Sequence, residues 1–218
     1  MTKSNEHSGQ QDGWLDRLPH AMRTMLLGAS RPQVYGQGDL IYDIGDAPGG
    51  IFGIQSGIVG VRTDDHDLSV VYGHLMGRGA WFGENAVLTG AGRQVSMVAL
   101  SPEVRVAAVS LKQLEDIAQA QPQFWRALAG LSAINAGVAI QIARDLMIRD
   151  AYARCRAVLS RLALSLGTDC PLSISQEELA EMCGMSRGAL SKVLGTLERS
   201  GALKRGYRSV VLLPAILG

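Results

Sequence analysis

The stretch SQEELAEMCGMSRGALSKVLGTLE, residues 175–198, constrains the fold more than any other part of the 218-residue chain. Ser175 and Glu178 have the S-x-x-E spacing of a capping box, so a helix is expected to begin at Gln176. Leu179 and Met182 give that helix a buried side, and Ala180 is small where a second helix must come close. Gly184 permits a tight turn, because a positive φ costs little only for glycine. Ser186 is a good N-cap for a second helix, expected to run to about Arg199 and to stop at Ser200-Gly201.

On that second helix Leu190, Val193, Leu194 and Leu197 form one apolar stripe, which leaves Arg187, Gly188, Ser191 and Lys192 on a different face. The spacing matches a helix-turn-helix, whose second helix enters the DNA major groove. The whole chain carries a formal charge of only +1, yet from Ser186 onward Arg187, Lys192, Arg199, Lys204, Arg205 and Arg208 face a single acid, Glu198. That local excess is an electrostatic footprint for a polyanion. A helical hairpin used only for packing is the rival reading; capping, turn, stripe and basic face together outweigh it.

The rest of the chain changes texture twice. Residues 1–13 are polar and read as a disordered tail, and Trp14 to about Ala29 carries apolar residues at helical spacing. From Val34 to Ser110 there are short apolar runs such as IFGIQ, IVGVR and VRVAAV, separated by glycines, which predict a β-sandwich or roll. Beyond Leu111 the period becomes helical, with a break at Pro122. Phe124 to about Arg149 then reads as one helix of about 26 residues and about 39 Å, longer than a small domain needs for itself. Such a helix suits pairing with a second copy, with Asn135 or Gln141 fixing the register. A further helix ends at Gly167, and the last residues read as a hairpin turning near Gly206.

Hydrophobic residues at 47% and charged residues at 19% are those of a globular protein with room for two modest domains. The N-terminus lacks the apolar core of a signal peptide and no stretch has eighteen uninterrupted apolar residues, so a cytoplasmic protein with no membrane partner is expected. Cys155, Cys170 and Cys183 are far apart in sequence and include no C-x-x-C pair, so neither a disulfide framework nor a zinc or iron–sulfur site is indicated.

In combination, SISQEELAEMCGMSRGALSKVLGTLERSGAL and GRGAWFGENAVLTGAGRQVSMVAL resemble the Crp/Fnr family of bacterial transcription regulators. The resemblance implies an α+β chain. Residues 14–121 would form an N-terminal double-stranded β-helix, a jelly-roll-like sensor domain; 122–149 a long dimerisation helix; and 150–218 a C-terminal winged helix-turn-helix. It implies base reading by Arg187, Gly188 and Lys192, with Ser191 on the same face. Gly188 departs from the family's frequent glutamate, so a contact to cytosine N4 is lost. Ser175, Gln176 and Ser186, with Lys204, Arg205 and Arg208 of the wing, would position phosphates.

The second motif resembles the phosphate-binding cassette of cyclic-nucleotide domains. By that resemblance Gly83 lets backbone approach a phosphate, Glu84 accepts from a ribose hydroxyl, and Arg93 neutralises a cyclic phosphate. Gln94 stands where a small residue is usual, Asn85 where leucine is, and Gln141 is the one side chain of AIQI able to bond a base edge. The implied effector is a cyclic nucleotide, cAMP or cGMP, with no metal expected. The implied partners are palindromic double-stranded DNA, a second copy of the chain, and RNA polymerase if the protein activates. The alternative is a small-ligand sensor acting through a protein partner.

Two competing chemistries have a foothold. Asp64, Asp65, His66 and Asp67 in TDDHD suggest a metal site, but between two strand-like runs they read as ordinary turn formers. His74 would be a haem ligand, but a lone histidine on a strand is more often a satisfied core or surface residue. No Walker loop, HExxH or nucleophile–histidine–acid order is present, so an enzyme is not expected.

Overall fold

The computed structural model describes residues 13–63, 72–206 and 209–218. The expected tail at residues 1–13 lies outside them except for Gly13, as do Asp64 to Asp67 of TDDHD and Arg208.

The expected first helix is divided. A 3-10 turn, Trp14–Arg17, is followed by α1, His20–Ala29. Pro19 explains the break, because its ring disfavours helical backbone at the preceding Leu18, which is extended (φ −71°, ψ 142°).

Among the described residues, eight strands then form two antiparallel sheets facing each other. One has the order β1-β8-β3-β6, built from Arg31–Gly36, Glu103–Ser110, Gly50–Ser56 and Trp81–Phe82. The other has the order β2-β7-β4-β5, from Leu40–Tyr42, Ser96–Ala99, Val59–Arg62 and Tyr72–Met76. Alternation along the strands decides what each side chain meets. Ile54, Val59, Met97, Val104 and Val106 fill the space between the sheets. Ile51 and Val109 point the other way, into a cluster with Leu26, Leu114, Phe124 and Leu128. A short helix, α2 (Glu84–Thr89), interrupts the strands.

After β8, α3 spans Leu111–Ala120 and α4 spans Phe124–Met147. Phe124, Leu128, Leu131 and Asn135, at i, i+4, i+7 and i+11, lie against the roll. Further along, α4 leaves apolar side chains in the open: Ile140 is 62% exposed and Met147 80%. By length and composition α4 would also be able to cross a membrane.

The C-terminal module comprises α5 (Ala151–Leu166), α6 (Gln176–Met182), α7 (Arg187–Arg199) and the antiparallel pair β9 (Leu203–Gly206) and β10 (Ser209–Leu212). Its core is continuous with the outer face of the second sheet, where Ile58, Leu75 and Leu100 meet a cluster that includes Val158, Leu162 and Leu179.

Candidate nucleic-acid interface and effector pocket

The helix-turn-helix forms at the residues that encode it. Ser175 Oγ accepts from the Glu178 N–H at 3.2 Å, and Glu178 Oε2 accepts from the Ser175 N–H at 2.6 Å, so the capping box is closed from both sides. The Ser175 hydroxyl hydrogen is left to donate outward. Ser186 caps α7 by accepting from the Ala189 N–H at 3.3 Å. Gly184 sits in the turn at φ +59°. Leu190, Leu194 and Leu197 are buried, and Arg187, Gly188, Ser191 and Lys192 are exposed together at the start of α7, with Gln176 half-buried at the start of α6.

Charges near this face are partly engaged. Arg187 Nη1 lies 3.7 Å from Glu177 Oε2, with both side chains more than two-thirds exposed, so the pair contributes little to stability and exchanges easily for another anion. A Cβ at Gly188 would meet nothing within 4 Å, so packing does not require glycine there. Lys204 is exposed on β9. Arg205, expected among the phosphate contacts, is held by Glu198: its Nε donates to Oε2 at 2.8 Å and its backbone N–H to Oε1 at 2.9 Å. Those bonds, the backbone one first, hold the Glu198 carboxyl below its ordinary range.

Arg154 of α5 was not visible as a functional residue in the sequence. Its Nε donates to Cys183 O at 2.8 Å, its Nη2 to Gly184 O at 3.2 Å and its Nη1 to Ile148 O at 2.6 Å. One guanidinium thus fastens the turn between α6 and α7 to the end of α4.

In the roll, Gly83 is the N-cap of α2 in the left-handed region, φ +97°. A Cβ there would lie 2.8 Å from Gly50 O and 2.9 Å from Arg93 Nη1, so only glycine lets these groups converge. Arg93 is 5% exposed. Its Nη1 donates to Gly83 O at 2.6 Å and its Nη2 to Gly50 O at 2.9 Å, and its guanidinium lies 4.2 Å from the centre of the Tyr42 ring. Its buried Nε has no hydrogen-bond partner among the described residues. Burial pushes the guanidinium pKa down and the Tyr42 phenol up.

Glu84 begins α2 and is 4% exposed. Its Oε1 accepts from Asn135 Nδ2 at 3.1 Å, and the same amide reaches Trp81 O at 3.2 Å. Burial pushes the Glu84 carboxyl up, opposed by the Asn135 bond and the charge of Arg93. This corrects the expectation that Asn135 sets the register of a helix pair: it faces its own roll. Gln94 is exposed and accepts from Asn85 Nδ2 at 2.8 Å. Gln141 is exposed farther along α4. Tyr42 and Gly50 complete the Arg93 surroundings from β2 and β3, and no local pattern in the sequence marks them.

His74 is buried, with its Nδ1 2.7 Å from Arg161 Nη1, so the ring is held in the core by that arginine.

Residues 32–121 match the cyclic nucleotide-binding domain family, and residues 153–216 the Crp-like helix-turn-helix domain family. The cAMP-dependent protein kinase type II regulatory subunit of Drosophila melanogaster is 35% identical over 101 residues, 46% of this chain and 26% of that one. The chain therefore spans about a quarter of the length of that relative. FixK2 from Bradyrhizobium japonicum superposes with a TM-score of 0.72 at 21% identity, covering 84% of this chain and 92% of that one. The c-di-GMP responsive global regulator CLP of Xanthomonas campestris gives 0.68 at 22%, covering 89% and 99%. The catabolite activator protein of Thermus thermophilus gives 0.51 at 24%, covering 94% and 95%. At these identities the structures speak for the fold. With a cyclic nucleotide-binding domain followed by a Crp-like helix-turn-helix on one such fold, the chain belongs to the Crp/Fnr family of transcription regulators.

Proposed function

We propose that the protein is a cytoplasmic, homodimeric, sequence-specific DNA-binding regulator whose DNA affinity is set by a small effector in the β-roll. The observation that carries the proposal is the start of α7, where Arg187, Ser191 and Lys192 stand exposed around an open Gly188 on a capped helix whose opposite side is fully packed. A recognition helix needs that arrangement: a rigid rear face and donors at the N-terminal end, where base edges are reached. Arg187 can donate two bonds to guanine O6 and N7, and Lys192 can reach a base acceptor or a phosphate. Ser175, Gln176, Ser186 and Lys204 are assigned to phosphates, whereas Arg205, held by Glu198, is a weaker candidate.

The second copy is inferred from α4. Gly130, Ala133, Gly137, Ile140, Arg144 and Met147 recur at alternating spacings of three and four on the side away from Leu128, Leu131 and Asn135. That is a heptad seam with small residues for close approach. A bilayer is the poorer partner, because Arg126 and Arg144 lie on that same side of the helix. RNA polymerase is a further partner if the protein activates.

The effector is assigned as a cyclic nucleotide, cAMP or cGMP. A buried cation with an unpartnered Nε, a glycine cradle and a nearby buried carboxylate fit an anionic ribose phosphate. The likenesses to a cAMP-dependent regulatory subunit and a c-di-GMP responsive regulator support the nucleotide class. Arg93 would neutralise the phosphate and Glu84 accept from a ribose hydroxyl, with Gln141 offering a base contact. Titration calorimetry with cAMP and cGMP tests this assignment. Micromolar binding to either, lost in Arg93→Lys, is expected; no heat with both would reject a cyclic nucleotide.

A further inference from the structure

Arg161 of α5 is charged yet only 6% exposed. Its Nε donates to Asp145 Oδ2 at 2.7 Å, in the last turn of α4, and its Nη1 lies 2.7 Å from His74 Nδ1, on β5. A guanidinium has only donors, so Nδ1 must offer its lone pair and His74 is neutral, with its proton on Nε2. Three elements that belong to the roll, the long helix and the C-terminal module thus meet at one buried cation. The apolar residues around it would hold the module anywhere along a greasy surface; a buried arginine tolerates only the position where both partners are present. Ser165 of α5 adds a bond to Leu75 O at 2.9 Å beside it.

We propose that His74, Arg161 and Asp145 form a latch that holds the C-terminal module on the β-roll, closed while His74 is neutral and opened when it takes a proton.

Among the described residues, the surroundings of the ring leave it little else to respond to. From α5 the charge acting on it is that of Arg161, and Asp145 of α4 stands behind that arginine. β4 presents Val61 opposite His74, and its Arg62 is paired with Asp43. From the end of α6 comes Cys183, whose thiol is pushed up by its contact with Cys155 and by burial. Burial first, and then Arg161, push the His74 pKa from 6.5 down to about 3. The sign follows. With the latch open, His74 protonates at its ordinary value; with it closed, it resists until about 3. Acidification therefore favours the open arrangement, by about tenfold per pH unit below the ordinary value. Because Asp145 is in the last turn of α4, any displacement of that helix pulls on the same arginine.

The latch needs neither DNA nor effector, so it is tested on the full-length protein alone. Hydrogen exchange of β5 and α5 amides, corrected for intrinsic rates, is measured at about pH 7.5 and about pH 5.5. The opening constant should rise about tenfold in the native protein, stay level with pH in His74→Gln, and be raised at both values in Arg161→Met. An unchanged constant in the native protein, or a pH dependence that persists in His74→Gln, would overturn the latch. A second measurement needs no folded variant beyond assignment: ring resonances of His74 should titrate well below 6.5 in the native protein, and a midpoint at the ordinary value would equally overturn it.

Discussion

Asn135 of α4 donates a 3.1 Å hydrogen bond to the buried carboxylate of Glu84, the residue assigned to an effector's ribose. The long helix therefore holds the group that a bound nucleotide would compete for, and binding there would release α4 from the roll at that point. Asn135→Ala should destabilise the protein by about 1–3 kcal/mol, since it strips a buried carboxylate of its donor. It should also reduce the effect of effector on DNA affinity. Thermal unfolding and DNA titration with and without cyclic nucleotide measure the two; coupling unchanged by the substitution would remove Asn135 from the account.

The same carboxylate predicts a pH dependence. Its folded pKa lies above the ordinary 4.5, so the folded state binds the proton more tightly than the unfolded state. Stability from this group is therefore present at low pH, falls as pH rises from about 4.5 through the folded value, and is constant above it. Glu84→Gln should be more stable than the native protein at neutral pH and show none of the native protein's gain as pH falls through the folded value to about 4.5. Melting temperatures across that range test it; a variant less stable at neutral pH would contradict the burial argument.

Arg93 has a structural duty beside its assigned one. Arg93→Met would take one donor from each of Gly83 O and Gly50 O and remove the contact with the Tyr42 ring, costing about 2–4 kcal/mol. Denaturant unfolding should register that loss in the absence of any ligand.

On α7, Arg187→Ala should cost about 1–3 kcal/mol on the specific duplex and leave folding stability unchanged, given the exposed partner Glu177. Lys204→Ala should lower the salt slope of DNA binding by about 1, and Arg205→Ala by less. Gly188→Glu enters open space, should stabilise α7 by about 0.5–1 kcal/mol, and should shift base preference toward cytosine at one position.

Ile140→Asp places a charge on the proposed seam and should convert dimer to monomer in sedimentation. A monomeric native protein would contradict the role given to α4.

Much of this was legible because the informative residues were close in sequence. Ser175 with Glu178, Gly184 and the Leu190 stripe encode the helix-turn-helix within one stretch, and each device formed as expected. The long helix was equally plain, because a 24-residue amphipathic run is a local property. What could not be read depends on residues far apart in the chain. Asn135 reaches Glu84 across 51 positions, Arg161 reaches His74 across 87, and Tyr42 covers Arg93 from another strand. Periodicity identifies the face of an element, and the partner of that face is decided by packing. The split of the first helix at Pro19 was within reach of local rules and shows a proline outweighing apolar spacing.

In the proposed function, two copies of α7 read DNA through Arg187. The direct measurement is selection of binding sites from a random duplex pool by the full-length protein, with Arg187→Ala in parallel. The expected result is an enriched two-fold symmetric sequence with half-sites about one helical turn apart, roughly 34 Å, and loss of preference at one position of each half-site in the variant. A pool that shows no enrichment, or an enriched site that the variant selects unchanged, would contradict it.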